Sequence, residues 1–224
     1  ETLERYLPYV YPPADGPVAE GLNRSVPQGL GNQRLADMGL LDVTAAPFEA
    51  DPSGRRDSTR ALQEAVDFAR DNQMAAFFPP GTYRVSDTLE YIMDFKARGN
   101  GRLTGAHSNA NILIGSTKDP SRRAEIYLAP NSPGFGDETN PKIVVHILKR
   151  AYDKGWGNFD SGESMNQMFR DIDIRIGEGN RGAIGIRMTA AEGSSIQNIT
   201  IDATHGYAGM RGLAGGGGSH HGIT

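Results

Sequence analysis

Hydrophobic positions along the chain change their period once. Leu62, Ala65, Val66 and Ala69 fall at i, i+3, i+4 and i+7, with Arg60, Gln63, Glu64, Asp67 and Arg70 on the other face. That spacing predicts an amphipathic helix, for which Asp57 is a suitable N-cap residue. The period then shortens. Phe77-Phe78, the turn Pro79-Pro80-Gly81 and Tyr83-Arg84-Val85 read as two short strands around a corner. Further β-like runs follow at 89–93, 112–114, 125–128, 142–147, 169–176, 183–188 and 196–202, each bounded by turn residues. No second helix interrupts them, which excludes a doubly wound α/β sheet and leaves a sandwich, a barrel or a solenoid.

A repeat decides among these. Residues 182–200 align without a gap on 206–224 at an offset of 24, with identities at Gly182/Gly206, Gly185/Gly209, Arg187/Arg211, Ala190/Ala214, Gly193/Gly217, Ser195/Ser219, Ile199/Ile223 and Thr200/Thr224. One turn earlier, Asp171-Ile172-Asp173-Ile174 matches Asn198-Ile199-Thr200-Ile201 at an offset of 27. Strands at such a period, without helices, predict the coils of a right-handed parallel β-helix, an all-β fold with an N-terminal capping α-helix. Because side chains alternate along a strand, Ile172, Ile174 and Ile176 should face inward beneath Ile199, Ile201 and Ile223. Asp171, Asp173, Asn198, Thr200 and Asp202 should face outward. The linker-like run Gly215-Gly216-Gly217-Gly218-Ser219 occupies the register of 191–195 and is expected to be a turn of the fold.

Each end of a solenoid exposes a strand edge. The helix after Asp57 is placed to cover the first, within a domain expected over 42–224. Residues 1–41 hold Pro8, Pro12, Pro13, Pro17 and Pro27 and are expected to form an extended arm, anchored by Tyr6, Tyr9 and Tyr11. At the other end Thr224 falls within a strand of the repeat, so further coils of a parent chain, or another chain, are expected there.

Composition agrees. Glycine, 29 of 224 residues, is about twice its usual share, as many tight turns require. The formal charge of −4 and the lack of a long basic run argue against a nucleic-acid partner. No apolar run is long enough for a membrane span, and the first residues lack the parts of a signal peptide, so the chain reads as soluble and already processed. With no cysteine, disulfides and thiolate chemistry are excluded, and no cofactor or metal is expected.

One segment carries a resemblance. Asp42-Val43-Thr44, Asp51-Pro52-Ser53-Gly54, the helix from Asp57-Ser58-Thr59 to Gln63-Glu64-Ala65, and Phe78-Pro79-Pro80-Gly81-Thr82-Tyr83 together resemble the opening of the pectate-lyase-like β-helix superfamily. Within it the likeness is to glycoside hydrolase family 55, exo-acting 1,3-β-glucanases. The resemblance implies part of a secreted or cell-surface enzyme that degrades a polysaccharide, with a catalyst late in the chain and no equivalent among these residues. A polysaccharide lyase acting on a uronate glycan, and a non-catalytic tailspike-like glycan-binding or assembly module, are the alternatives.

Five residues are the candidate glycan contacts. A glycosidase needs two carboxyl groups about 5–10 Å apart, and Asp171 and Asp173 stand two apart on one expected outward face. Asp202 and Glu178 offer further carboxylates. Arg187 and Arg211 should lie about 5 Å apart on adjacent coils, where like charges repel by about 3 kcal/mol at an effective dielectric of 20. That repulsion calls for an anion: Glu192 or a nearby aspartate if the pair is structural, a uronate or sulfate if it is functional. Trp156, with Phe159 in the glycine-rich 155–162, is a candidate stacking platform. His205, His220 and His221 should line one edge of successive coils, without metal-ligand spacing.

Overall fold

The computed structural model describes residues 35–94, 110–150 and 164–224. The residues up to 34 expected to form the arm, and Trp156 with Phe159, lie outside that set. The chain joins the body by Ala36 and Leu41, both fully buried.

The fold is a right-handed parallel β-helix. After β1 (Leu40–Asp42) and helix α1 (Thr59–Asp71), the first coil is made of β2 (Ala75–Phe78), β3 (Gly81–Val85) and β4 (Leu89–Asp94). The second comprises β5 (Ile112–Gly115), β6 (Ala124–Leu128) and β7 (Lys142–Arg150), and the third β8 (Met168–Arg170), β9 (Ile172–Ile176) and β10 (Ala183–Met188). The fourth comprises β11 (Ser195–Ile199), β12 (Ile201–Asp202) and β13 (Ala208–Met210), and β14 (Ser219–Ile223) opens the next. The coils stack into three sheets: A is β1-β2-β5-β8-β11-β14, B is β3-β6-β9-β12, and C is β4-β7-β10-β13. Every pairing between described strands is parallel.

Alternation within strands builds the core. Leu113, Phe169 and Ile196 stack in sheet A, and Tyr83, Ile126 and Ile174 in sheet B. Leu89, Val145 and Ile186 stack in sheet C, and all nine of these side chains are at most 1% exposed. The isoleucine column expected from the repeat is present: Ile199 pairs with Ile223, and the offset of 27 seen at Arg170↔Gln197 and Ile174↔Ile201 carries Ile172 beneath Ile199.

Two expected strands are each divided by a corner. At equivalent places in successive coils stand single left-handed residues, Asp171 (φ 60°) between β8 and β9, Asn198 (φ 50°) near the end of β11 and Gly222 (φ 63°) near the end of β14. Gly115 holds the equivalent place one coil earlier, where a Cβ would lie 1.9 Å from the Asp171 carbonyl oxygen. At this corner Asp171 is covered and only 1% exposed, although Asn198 at the equivalent corner of the next coil is exposed. The Asp171 carboxylate accepts hydrogen bonds from Asn198 Nδ2 at 2.6 Å and Arg170 Nε at 2.8 Å. Asp171, expected on an open face, is thus covered by its neighbours.

Helix α1 buries Leu62, Ala65, Val66 and Ala69, as its spacing predicts. Ser58, rather than Asp57, is its N-cap, and the Ser58 hydroxyl instead accepts the Asp51 backbone N–H at 2.9 Å. Asp57 contributes from one position earlier by accepting the Thr59 N–H at 2.9 Å. The helix covers the free edge of sheet C with side chains that imitate a strand. Gln63 donates to the Glu90 carbonyl at 2.7 Å and accepts the Glu90 N–H at 2.9 Å, and Arg70 donates to the Ile92 carbonyl at 2.9 Å. The signature segment is structural too: Tyr83 donates its hydroxyl proton to the Pro79 carbonyl at 2.7 Å, closing the Pro-Pro-Gly turn. The glycine-rich run near the C-terminus is a turn stacked on its predecessor, with Gly193 N–H donating to the Gly217 carbonyl at 3.2 Å.

Candidate functional site

A β-helix offers its outer faces to ligands, so side chains that alternate with the core are where chemistry is sought. On sheet C, Glu90, His146 and Arg187 stand in register on β4, β7 and β10, between buried Leu89, Val145, Ile186 and buried Tyr91, Ile147, Met188. The backbone pairing continues past β13 (Arg211 N–H to the Ile186 carbonyl, 3.0 Å; Met188 N–H to the Gly212 carbonyl, 3.0 Å), which sets Arg211 beside Arg187. The arginine pair expected from the 24-residue offset therefore exists, Arg187 half-buried and Arg211 exposed.

Its electrostatics are those of crowded cations. Burial, and then the charge of Arg211, lower the pKa of the Arg187 guanidinium. Burial first and Arg187 second depress the His146 pKa to about 4. Glu192, the anion expected in a structural pair, makes no ion pair with either arginine among the described residues; it sits in the turn beside Gly217.

His146 gives stability a pH dependence of determinate sign. A histidine near 6.5 when unfolded and about 4 when folded binds more protons unfolded between those values. Stability is full above about pH 6.5 and falls with acidification toward about pH 4, with burial as the main cause and Arg187 reinforcing the trend. His220, whose pKa is also lowered by burial, acts in the same direction. Thermal melts across this window should show the midpoint dropping on the acid side, and His146→Gln should flatten the slope.

Sheet B carries a different arrangement. Thr82, Glu125 and Asp173 are in register on β3, β6 and β9, with Arg84, Tyr127 and Arg175 one step along. Asp173 faces outward, as expected, but Arg123 holds both its oxygens, Nε to Oδ2 at 2.6 Å and Nη2 to Oδ1 at 3.0 Å. Glu125 is held likewise by Arg175, at 3.1 and 2.8 Å, and the Arg175 guanidinium lies 3.7 Å from the Tyr127 ring centroid. Thr82, Arg123, Glu125 and Asp173 border a cleft of about 370 Å³. Each carboxylate is charge-compensated and fixed by its arginine, so this lattice suits holding coils together better than proton transfer.

At the corner between sheets B and C, turns from three successive coils border a second cleft, of about 630 Å³, which gathers Glu138, Glu178, Arg181, Thr204, His205 and Tyr207. Glu178 and His205, read separately from the sequence, meet here. His220 and His221 stand instead on β14 of sheet A, so the three histidines do not share an edge. Asp202 accepts the Thr204 N–H at 3.0 Å, and hydrogen bonds from Thr204 hold its pKa low. Glu125, His146 and Tyr207 were not singled out by sequence. Their partners lie 48 residues (Glu125 to Asp173), 41 residues (His146 to Arg187) and 69 residues (Glu138 to Tyr207) away, and no fixed offset announces those separations.

Residues 43–223 match the model of the family described as rhamnogalacturonase A/epimerase, pectate lyase-like. No curated protein matches the chain significantly. Among solved structures, ORF18 of Geobacillus virus E2 is similar at 15% identity and a TM-score of 0.25, over 79% of this chain and 32% of that one. The present chain thus spans about a third of that protein's length.

Proposed function

Because the chain belongs to the rhamnogalacturonase A/epimerase, pectate lyase-like family, we propose that it forms part of a secreted glycoside hydrolase that degrades an extracellular polysaccharide, binding acidic sugars on the outer face of sheet C. The observation that carries this reading is the pair Arg187 and Arg211, in register on adjacent strands beside His146. The two guanidiniums lie on neighbouring strands, and each presents a fork that fits a carboxylate. A uronate carries such a carboxylate, and the family's description names a rhamnogalacturonase. The match is to this family rather than to glycoside hydrolase family 55, and it favours a uronate glycan over a neutral 1,3-β-glucan.

The catalytic carboxylates are assigned outside the described residues, because Glu125 and Asp173 are each held by an arginine. That same engagement favours a second reading, in which these coils bind glycan without cleaving it. Replacing both Arg187 and Arg211 by alanine should weaken binding of oligogalacturonate at least about tenfold, equivalent to about 1.4 kcal/mol, and should flatten its salt dependence. Unchanged affinity by calorimetry would remove sheet C from the reading. For cleavage, mass spectrometry of products from the parent enzyme should show the addition of water; unsaturated ends would mean elimination, and bound but intact glycan the second reading.

A further inference from the structure

Sheet A carries a column of stacked side chains from Leu41 through Ala76, Leu113, Phe169 and Ile196 to His220. The first five are apolar and buried, and the sixth is a half-buried imidazole. The coil before has Ile196 at that place, an apolar side chain that accepts no hydrogen bond, so His220 departs from the pattern that builds the core. Both of its nitrogens meet backbone donors. Nε2 accepts the Ala214 N–H at 3.0 Å and Nδ1 the Ile196 N–H at 3.2 Å.

The first of these bonds closes a turn, and the second reaches the coil before. Ala214 leads into the glycine run 215–218, which folds back so tightly that a Cβ on Gly218 would lie 2.4 Å from that of Ala214. The run rests on its predecessor through Gly215 N–H to the Ala190 carbonyl at 2.8 Å and Ser219 N–H to the Ser194 carbonyl at 3.0 Å. A neutral imidazole has one bare nitrogen at a time, and an imidazolium has none. The neutral ring therefore holds one of its two donors, whereas the protonated ring turns an N–H toward each.

We propose that His220 is an acid-operated clasp: neutral, it fastens the turn 214–220 and β14 to the preceding coil, and protonated, it releases them while the earlier coils stay wound. Coils of a solenoid touch only their neighbours, so an opening at this level stays local. Burial lowers the His220 pKa from its ordinary value of 6.5 and is its only cause. The charged and titratable residues around it stand elsewhere: β11 has none, Glu192 lies in the preceding turn beside Gly217, Arg211 is exposed after β13, and His221 shares the other column of β14 with Gln197. A depressed folded value means that the clasp is at full strength above about pH 6.5 and weakens as the pH falls below it.

Hydrogen exchange read by mass spectrometry tests this on the whole 224-residue chain. Exchange is followed at about pH 7.5 and about pH 5, either side of the ordinary histidine range, with rates corrected for the intrinsic pH dependence of amide exchange. The lower pH stays above the value of about 4 for His146, which keeps the two histidines apart. Peptides of 211–224 should lose protection at the lower pH, while those of 110–129 and 164–188 keep it. His220→Gln, whose side-chain carbonyl accepts an N–H at either pH, should keep 211–224 protected in both. In the wild type, the nitrogen shifts of the imidazole should report one accepting nitrogen at the higher pH and titrate together with the loss of protection. Unchanged protection of 211–224 overturns the clasp, as does an equal loss in His220→Gln. A simultaneous loss in every coil overturns it as well, since that marks global unfolding.

Discussion

Phe169→Ala should destabilise the protein by about 3–5 kcal/mol, the range for emptying an aromatic side chain from a packed core. Phe169 is fully buried in sheet A between Leu113 of the coil before and Ile196 of the coil after. A solenoid is held by contacts between neighbouring coils, so a cavity at this level weakens two interfaces together. Against a total stability of about 5–15 kcal/mol for a domain, the loss is a large fraction. Urea unfolding followed by circular dichroism should show a much lower midpoint. Ile196→Val, which removes one methylene from the next level, should cost only about 0.5–1.5 kcal/mol. Equal midpoints for Phe169→Ala and the wild type would mean that the stacked column contributes little.

Gly115→Ala should be at least as damaging for a steric reason. The added Cβ would stand 1.9 Å from the carbonyl oxygen of Asp171 and 2.6 Å from its carbon. Both are backbone atoms in the corner of the next coil, so relief requires the coils to separate and break their hydrogen bonds. Overpacking of this kind costs about 3 kcal/mol or more. Gly216 is the natural control, since a Cβ there meets nothing within 4 Å. Gly216→Ala should change stability by less than about 0.5 kcal/mol. Comparison of soluble yield and melting temperature for the two variants tests whether close approach at the corner, rather than glycine content, limits the fold.

The charged side chains are arranged differently on different faces of the same coils. Arg123 with Asp173, and Arg175 with Glu125, bind coil to coil on sheet B. On sheet C, Arg187 and Arg211 crowd two positive charges together.

Sequence patterning determined the winding of the last coils, since Ile199 over Ile223 and Arg187 beside Arg211 follow from an offset of 24 residues and the two-residue alternation of a strand. The same patterning determined the buried face of α1 through Leu62, Ala65, Val66 and Ala69. Tertiary structure decided the earlier registers, where Leu113 meets Phe169 after 56 residues and Ala124 meets Ile172 after 48. Insertions of such unequal length erase a fixed period, while the backbone pairing that sets the register is insensitive to them. Tertiary structure also decided the fate of Asp171: at its left-handed corner the carboxylate is covered by Arg170 and by Asn198 of the next coil. Alternation predicts a side chain's face only within an unbroken strand. The clefts on sheet B and at the corner between sheets B and C belong to this second class, because each is assembled from residues that only the stacking of coils makes neighbours.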